Sequence, residues 1–195
     1  MTSKKRRKKR KTARAAAPET AAAPPESPLK DVTIFTDGAC IFNPGPGGYG
    51  VILVHGDHRK ELSAGFRRTT NNRMEMMAAI AGIEALKRPC RVRLYSDSQY
   101  LVNAIELGWA RRWQAHAWWR NRDERALNTD LWERLLKACE AHEVRFEWLR
   151  GHAGQEENER CDQLARQAAA SSDLQIDPEY EKINPISPRH YSPSK

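Results

Sequence analysis

Four carboxylates in this chain occupy positions where an acidic side chain needs a reason. Asp37 follows the apolar, β-prone run "VTIF" and precedes the glycine- and proline-rich stretch "GACIFNPGPGGYG". Asp97 sits in "YSDSQ", again where a short apolar run gives way to polar residues. Glu75 lies among the methionines of "NNRMEMMAAIAGIEALKRP", where an unpaired charge would be costly to bury. Asp162 falls inside "EENERCDQLARQAAA", flanked by Cys161 and Leu164 and four residues after Asn158. Taken singly, the two aspartates after apolar runs read as turn or cap residues, Glu75 as a favourable charge near a helix N-terminus and Asp162 as a surface residue. As a set they are four acidic oxygen donors, the ligand type that hard divalent cations such as Mg²⁺ or Mn²⁺ select. Ligand sites of open α/β sheets collect at strand ends, which suits Asp37 and Asp97, but spacing alone does not establish that the four converge.

The elements that would have to position them follow from periodicity. "VTIFT" alternates and is β-branched; "YGVILVHG" and "KELSAGFRR" read as two further strands joined through "GDH" as a hairpin. The methionine-rich segment reads as a helix capped by Asn71 or Asn72 and stopped by Pro89, and its apolar residues nearly encircle it, so it should be buried. "VRLYSDS" is a short strand, and "SQYLVNAIELG" and "TDLWERLLKACEAH" are amphipathic helices with Ser98 and Thr129 as candidate caps. Between those helices runs "WARRWQAHAWWRNRDERALN", rich in Trp and Arg. "VRFEWL" is a last strand and "EENERCDQLARQAAA" a last helix. Three antiparallel strands followed by two helix-linked strands imply an α/β fold with a five-stranded mixed sheet flanked by helices. The proline-containing tail over 173–195 has little periodicity and is expected to be loose.

Composition locates the charge. The chain of 195 residues carries +8, and residues 1–30 alone contain ten Lys/Arg against Glu19 and Glu26, so the remainder is neutral. That segment has almost no large apolar side chains and reads as a disordered arm attracted to polyanions, although a nuclear address would look similar. It lacks the apolar core of a signal peptide, and no apolar run approaches a membrane span. Cys40, Cys90, Cys139 and Cys161 form no C-x-x-C pair, which favours a reduced intracellular protein over a disulfide framework or zinc site.

Four blocks in order, "TDGACIFNPGPGGYG", "TTNNRMEMMAAIAGIEAL", "SDSQY" and "GHAGQEENERCDQLA", make the chain resemble the ribonuclease H type 1 family over residues 31 to about 170. The resemblance implies the ribonuclease H-like fold, with a catalytic domain over 31–172 between the basic tail and the C-terminal extension. It implies hydrolysis of the RNA strand of RNA–DNA hybrids by two Mg²⁺ ions, with Mn²⁺ as a substitute, leaving 5′-phosphate and 3′-hydroxyl ends. The family's metal carboxylates map onto Asp37, Glu75, Asp97 and Asp162, and its loop histidine onto His152. Asn43, Asn71, Asn72 and Gln99, with backbone near Cys40, map onto positions that read 2′-hydroxyls in the minor groove. Thr70 and Asn128 match a phosphate site for the DNA strand, and Trp109, Trp113 and Trp118 match the tryptophans of a basic protrusion that grips it. Packing explains those tryptophans equally well, and Asp123 and Glu124 dilute the protrusion's charge. "GHAGQEEN" departs from the family's His-Pro pair, which bears on loop stiffness near His152.

Two other readings are weighed, and the "NPGPGGYG", "NNRME" and "GHAG" blocks argue against the first and the four retained carboxylates against the second. A metal nuclease of the same broad fold, such as a resolvase, would prefer branched DNA, and a catalytically silent hybrid-binding module would have lost a carboxylate. A monomer in a bacterial-type cytoplasm is expected, with a nuclear location if the tail is an address.

Overall fold

The computed structural model describes residues 28–151 and 154–185, so most of the basic segment and the end of the C-terminal extension lie outside the described residues. Its elements run β1 Lys30–Cys40, β2 Gly45–His55, β3 His58–Thr69, α1 Asn71–Glu84, β4 Cys90–Ser96, α2 Gln99–Glu106, α3 Trp109–Ala115, α4 Thr129–Cys139, β5 Glu143–Trp148, α5 Glu156–Ala169 and α6 Pro178–Ile183. The sheet order is β3-β2-β1-β4-β5. β1 pairs antiparallel with β2 and parallel with β4, and β5 continues the parallel half. The expected mixed sheet is therefore present. The β2–β3 hairpin closes through Gly56 and Asp57, with Gly56 at φ 55° in the left-handed region that glycine occupies without penalty.

Strand alternation sends side chains to two cores. Val32, Ile34, Val51 and Leu94 face the larger core with α1, α2 and α4, while Phe35 and Ile52 pack on the other face against Cys161 and Leu164 of α5. Helix α1 is enclosed on most sides, from Arg73 through Ile83, as its nearly continuous apolar surface requires. No helix among the described residues is long and apolar enough to cross a membrane.

Three local expectations are corrected. The α1 cap position belongs to Thr70, without a side-chain cap bond, and Asn71 and Asn72 lie inside the first turn. Thr129 is the first residue of α4, after Asn128 in the left-handed conformation, whereas Ser98 does hold the α2 cap position as expected, though without a capping bond from its side chain. The Trp/Arg-rich segment contains a helix, α3, that its mixed composition concealed.

The larger correction concerns the C-terminal extension, which is docked over its first half rather than loose. Gln175 lies alongside β3, its N–H donating to the Gly65 carbonyl at 2.8 Å and its own carbonyl accepting from Arg67 N at 2.9 Å. Asp177 then caps α6, with Pro178 in the first turn, and its side chain is fully buried. It accepts from Arg73 Nε at 2.7 Å, Arg73 Nη2 at 2.8 Å and Thr69 Oγ1 at 2.8 Å. Arg73, itself 3% exposed, also holds Asp130 of α4 at 2.7 Å. A buried cation with two acidic partners thus ties α1, β3, α4 and the C-terminal segment together. Asp177→Ala should lower stability by about 3 kcal/mol or more, because it leaves a buried guanidinium short of a partner; urea unfolding measures it.

Candidate active site

The carboxylates meet because of register. Thr36 of β1 and Ser96 of β4 are parallel partners, the last pair of that ladder, so Asp37 and Asp97 emerge side by side. Asp37 does not end its strand as expected. β1 continues beside β2 to the Cys40–Gly47 pair, and what stops at Asp37 is the neighbouring strand. Glu75 arrives from above, because Gly38 lets the α1 backbone rest directly on β1. A Cβ at Gly38 would collide with the Glu75 nitrogen. Asp37, Glu75 and Asp97 each offer an oxygen within 4.8 Å of the others.

Asp162 comes from the opposite face. Gly48, Gly50 and Gly65 of β2 and β3 leave no room for a Cβ against the α5 backbone, so α5 lies close on the sheet. Its Asp162 lines the same cleft, about 440 Å³, with Cys40, Asn71 and Arg166. There Asp162 forms an ion pair with Arg166 at 2.8 Å and stands outside the tight triad. A larger hollow of about 660 Å³ lies at the other end of the parallel strands, around Arg91, Arg93 and Arg145, away from these acids.

Burial and neighbouring charges raise the proton affinity of Asp37 and Glu75. Asp37, 6% exposed, is pushed up to about 7 by desolvation and then by Asp97 and Asp162, against one bond from Gly38 N at 2.7 Å. Desolvation and then the Asp37 and Asp97 charges hold Glu75 well above the usual carboxylate range. Its Oε1 accepts from Asn71 Nδ2 at 3.3 Å, while Oε2 is buried without a hydrogen-bond partner among the described residues. Acids clustered with too few donors are a fit for hard cations.

The other sequence-derived residues surround this centre. Cys40 lines the cleft, Asn43 Oδ1 accepts from Asn71 N at 3.2 Å, and Asn72 and Gln99 are exposed. Thr70 is half-buried, and Asn128 Oδ1 faces Arg73 Nη1 at 3.4 Å. Trp113 is 6% exposed and packs against Tyr100, Trp109 and Trp132, so packing occupies most of its surface. Trp109 and Trp118 are half-buried against the same core. His152 lies outside the described residues.

Sequence reasoning missed several neighbours. Trp119, 45% exposed with Arg125 over its ring at 5.7 Å, is the outward tryptophan of the protrusion. Trp148 Nε1 donates to the Asp97 carbonyl at 3.0 Å, and Gly151 passes so close that a Cβ would stand 2.9 Å from Asp97 Oδ2. Arg73 and Asp177 form the buried ion cluster behind Asn128. Only the "IDPE" cap signal before α6 was available to flag Asp177.

A family profile described as RNase H matches residues 29–170. The ribonuclease H of Syntrophus aciditrophicus is 64% identical over 155 residues, covering 80% of this chain and 90% of that protein. Among solved structures, LC9-RNase H1, described as a type 1 RNase H with the type 2 active-site motif, aligns with a TM-score of 0.67 at 29% identity over 83% of both chains. LC11-RNase H1, solved in complex with RNA/DNA hybrid, shares the fold, with a TM-score of 0.56 at 22% identity over 71% of this chain and 96% of that one.

An acid whose folded pKa is raised binds protons in the fold that the unfolded chain has released, so stability falls as pH climbs from about 4 to about 7. Asp37 should therefore destabilise the metal-free protein most above its value of about 7. Asp37→Asn should melt higher than wild type in chelator near neutral pH and above, with the gap closing toward about pH 4. Mg²⁺ should raise the melting temperature of wild type and do little for the variant, as thermal unfolding with and without the ion would read.

Proposed function

The chain belongs to the type 1 ribonuclease H family, and on that premise we propose that it hydrolyses the RNA strand of RNA–DNA hybrids with two divalent cations, leaving 5′-phosphate and 3′-hydroxyl ends. The observation that carries this reading is the triad of Asp37, Glu75 and Asp97, the first two buried, with one Glu75 oxygen lacking a hydrogen-bond partner among the described residues, just beyond the last β1–β4 pair. These three, with Asp162, would hold Mg²⁺ or, as a substitute, Mn²⁺. Bound there, such ions supply charge neutralisation at a scissile phosphate and a lowered pKa for attacking water.

The chain's own groups orient the rest. Gly38 N–H holds one Asp37 oxygen, and Trp148 steadies the Asp97 backbone, so both carboxylates are preorganised. Asp162, paired with Arg166 here, would help hold a cation once that pair opens, and His152 is the proposed carrier for proton transfer or product release. Asn43, Asn71, Asn72 and Gln99, with the Cys40 backbone, are the proposed readers of 2′-hydroxyls. The Asn43 side-chain carbonyl already accepts from the Asn71 backbone, which leaves its amide as donor. Arg73 fixes the Asn128 amide in the same way, freeing its NH₂, beside Thr70, for a phosphate of the DNA strand. Trp109, Trp113 and Trp118 are proposed to shape the protrusion, with Arg111, Arg112 and Arg122 supplying charge. A monomer in a bacterial cytoplasm completes the proposal, consistent with four free cysteines.

The test is a labelled hybrid with Mg²⁺, beside duplex DNA and duplex RNA. Cleavage should be confined to the RNA of the hybrid and need several contiguous ribonucleotides. Leaving several buried polar groups unpaired costs about 1–3 kcal/mol each, enough to reject duplex DNA by orders of magnitude. Equal cutting at an isolated ribonucleotide would sink the type of recognition proposed. Asp97→Asn should bind hybrid yet lose about 10²-fold or more in rate.

The basic segment gives a separate expectation. Removing residues 1–30 should weaken hybrid binding and flatten its salt dependence, each lost phosphate contact changing the log–log slope by roughly 0.9, without abolishing cleavage. An unchanged slope would show that the segment does not bind nucleic acid.

A further inference from the structure

The tight loop between β1 and β2 carries a side chain that folding does not explain. Phe42 is 83% exposed and sits at φ 58°, in the left-handed region. A side chain with a Cβ occupies that region at a cost, which glycine avoids and asparagine tolerates. The loop itself is closely built. Ile41 N donates to the Pro46 carbonyl at 2.7 Å, and a Cβ at Gly45 would collide with the Ile41 carbonyl. The backbone turn is thus set by its neighbours, and the benzyl group adds strain without burial in return. Strained residues of this kind concentrate at functional sites.

Its location says which site. Ile41, immediately before, lines the carboxylate cleft together with Cys40, and Asn43, immediately after, is tied to the first residue of α1. The loop that carries the exposed ring therefore borders the cleft, anchored on both sides. An exposed aromatic beside a phosphate-cutting centre offers a flat apolar surface to sugars and base edges, a contact that does not depend on base identity. The minor groove of an A-like duplex is wide and shallow enough to receive it.

We propose that Phe42 is a substrate-positioning residue whose ring packs against the RNA-strand riboses and base edges in the minor groove beside the scissile phosphate. This rests on the hybrid substrate proposed above. The ring complements the amides around it: they select hydroxyls by hydrogen bonding, and it supplies apolar contact that sets the depth at which the strand sits.

The experiment compares wild type with Phe42→Gly, Phe42→Asn and Phe42→Trp. Hybrid binding is read by fluorescence anisotropy in chelator, cleavage by steady-state kinetics in Mg²⁺, and stability by thermal unfolding. Gly and Asn suit the left-handed turn without a ring, so both should melt at or above the wild-type temperature. Both should nevertheless raise the hybrid Kd and KM about fivefold or more, the scale of one lost aromatic contact, with kcat within about threefold. Phe42→Trp should bind within about twofold of wild type, since it restores the flat surface. Wild-type affinity in Phe42→Gly and Phe42→Asn overturns the proposal, and so does a loss of affinity that tracks a loss of stability. The two hypotheses separate cleanly. A wild type that binds hybrid in chelator but fails to cut it removes the proposed reaction, while the binding comparison still decides the role of Phe42. A wild type that does not bind hybrid removes both.

Discussion

Three carboxylates with oxygens inside 4.8 Å repel one another, and burial makes each charge costlier still. The architecture around them works against that cost. β1 and β4 bring Asp37 and Asp97 together only because their ladder is parallel and in register, and a parallel ladder needs a crossover helix covering it. That helix, α1, carries Glu75, and its close seat on Gly38 completes the triad. Moving any of the three would mean shifting a strand register or lifting a helix out of a packed core. The site is thus a store of unfavourable electrostatics that a cation relieves, the common opposition between stability and activity.

A second charge centre balances the first. Arg73 stands two residues before Glu75 on α1, and its contacts with Asp177, Asp130 and Asn128 link the C-terminal segment and α4 to the helix that carries this acid. In the carboxylate cluster Arg166 pairs with Asp162 and one Glu75 oxygen has no hydrogen-bond partner among the described residues, whereas this cation is saturated with acids. One helix therefore displays an under-satisfied carboxyl group on its cleft side and a satisfied cation behind it. The saturated centre holds α1 in place, and the unsaturated one is left for ligands.

The sheet, the hairpin and the enclosed α1 were legible because they rest on local periodicity and turn chemistry: "VTIFT" alternates, Gly56 permits a tight reversal, and the methionine run is apolar on nearly every side. The candidate acids were legible as a group because their residue types and motif contexts are distinctive. Helix caps were misread because Asn71, Asn72 and Thr129 each satisfy a local rule that the observed helix starts, one or two residues away, override. α3 and α6 escaped notice because short helices take their stability from packing rather than periodicity.

By itself the sequence determined the chemical inventory: oxygen donors suited to hard cations, side-chain amides that donate and accept hydrogen bonds, and a basic segment beside a neutral remainder. Tertiary structure alone decided which donors share a centre. It drew Asp37, Glu75 and Asp97 together, left Asp162 turned to Arg166, folded Trp113 into the core, and converted an expected loose extension into the clasp on Arg73. The physical reason is that convergence depends on strand register and helix seating, set by contacts between residues far apart in the chain, such as Thr36 with Ser96 and Arg73 with Asp177. No local pattern encodes such pairings, because each becomes favourable only once the rest of the core has formed.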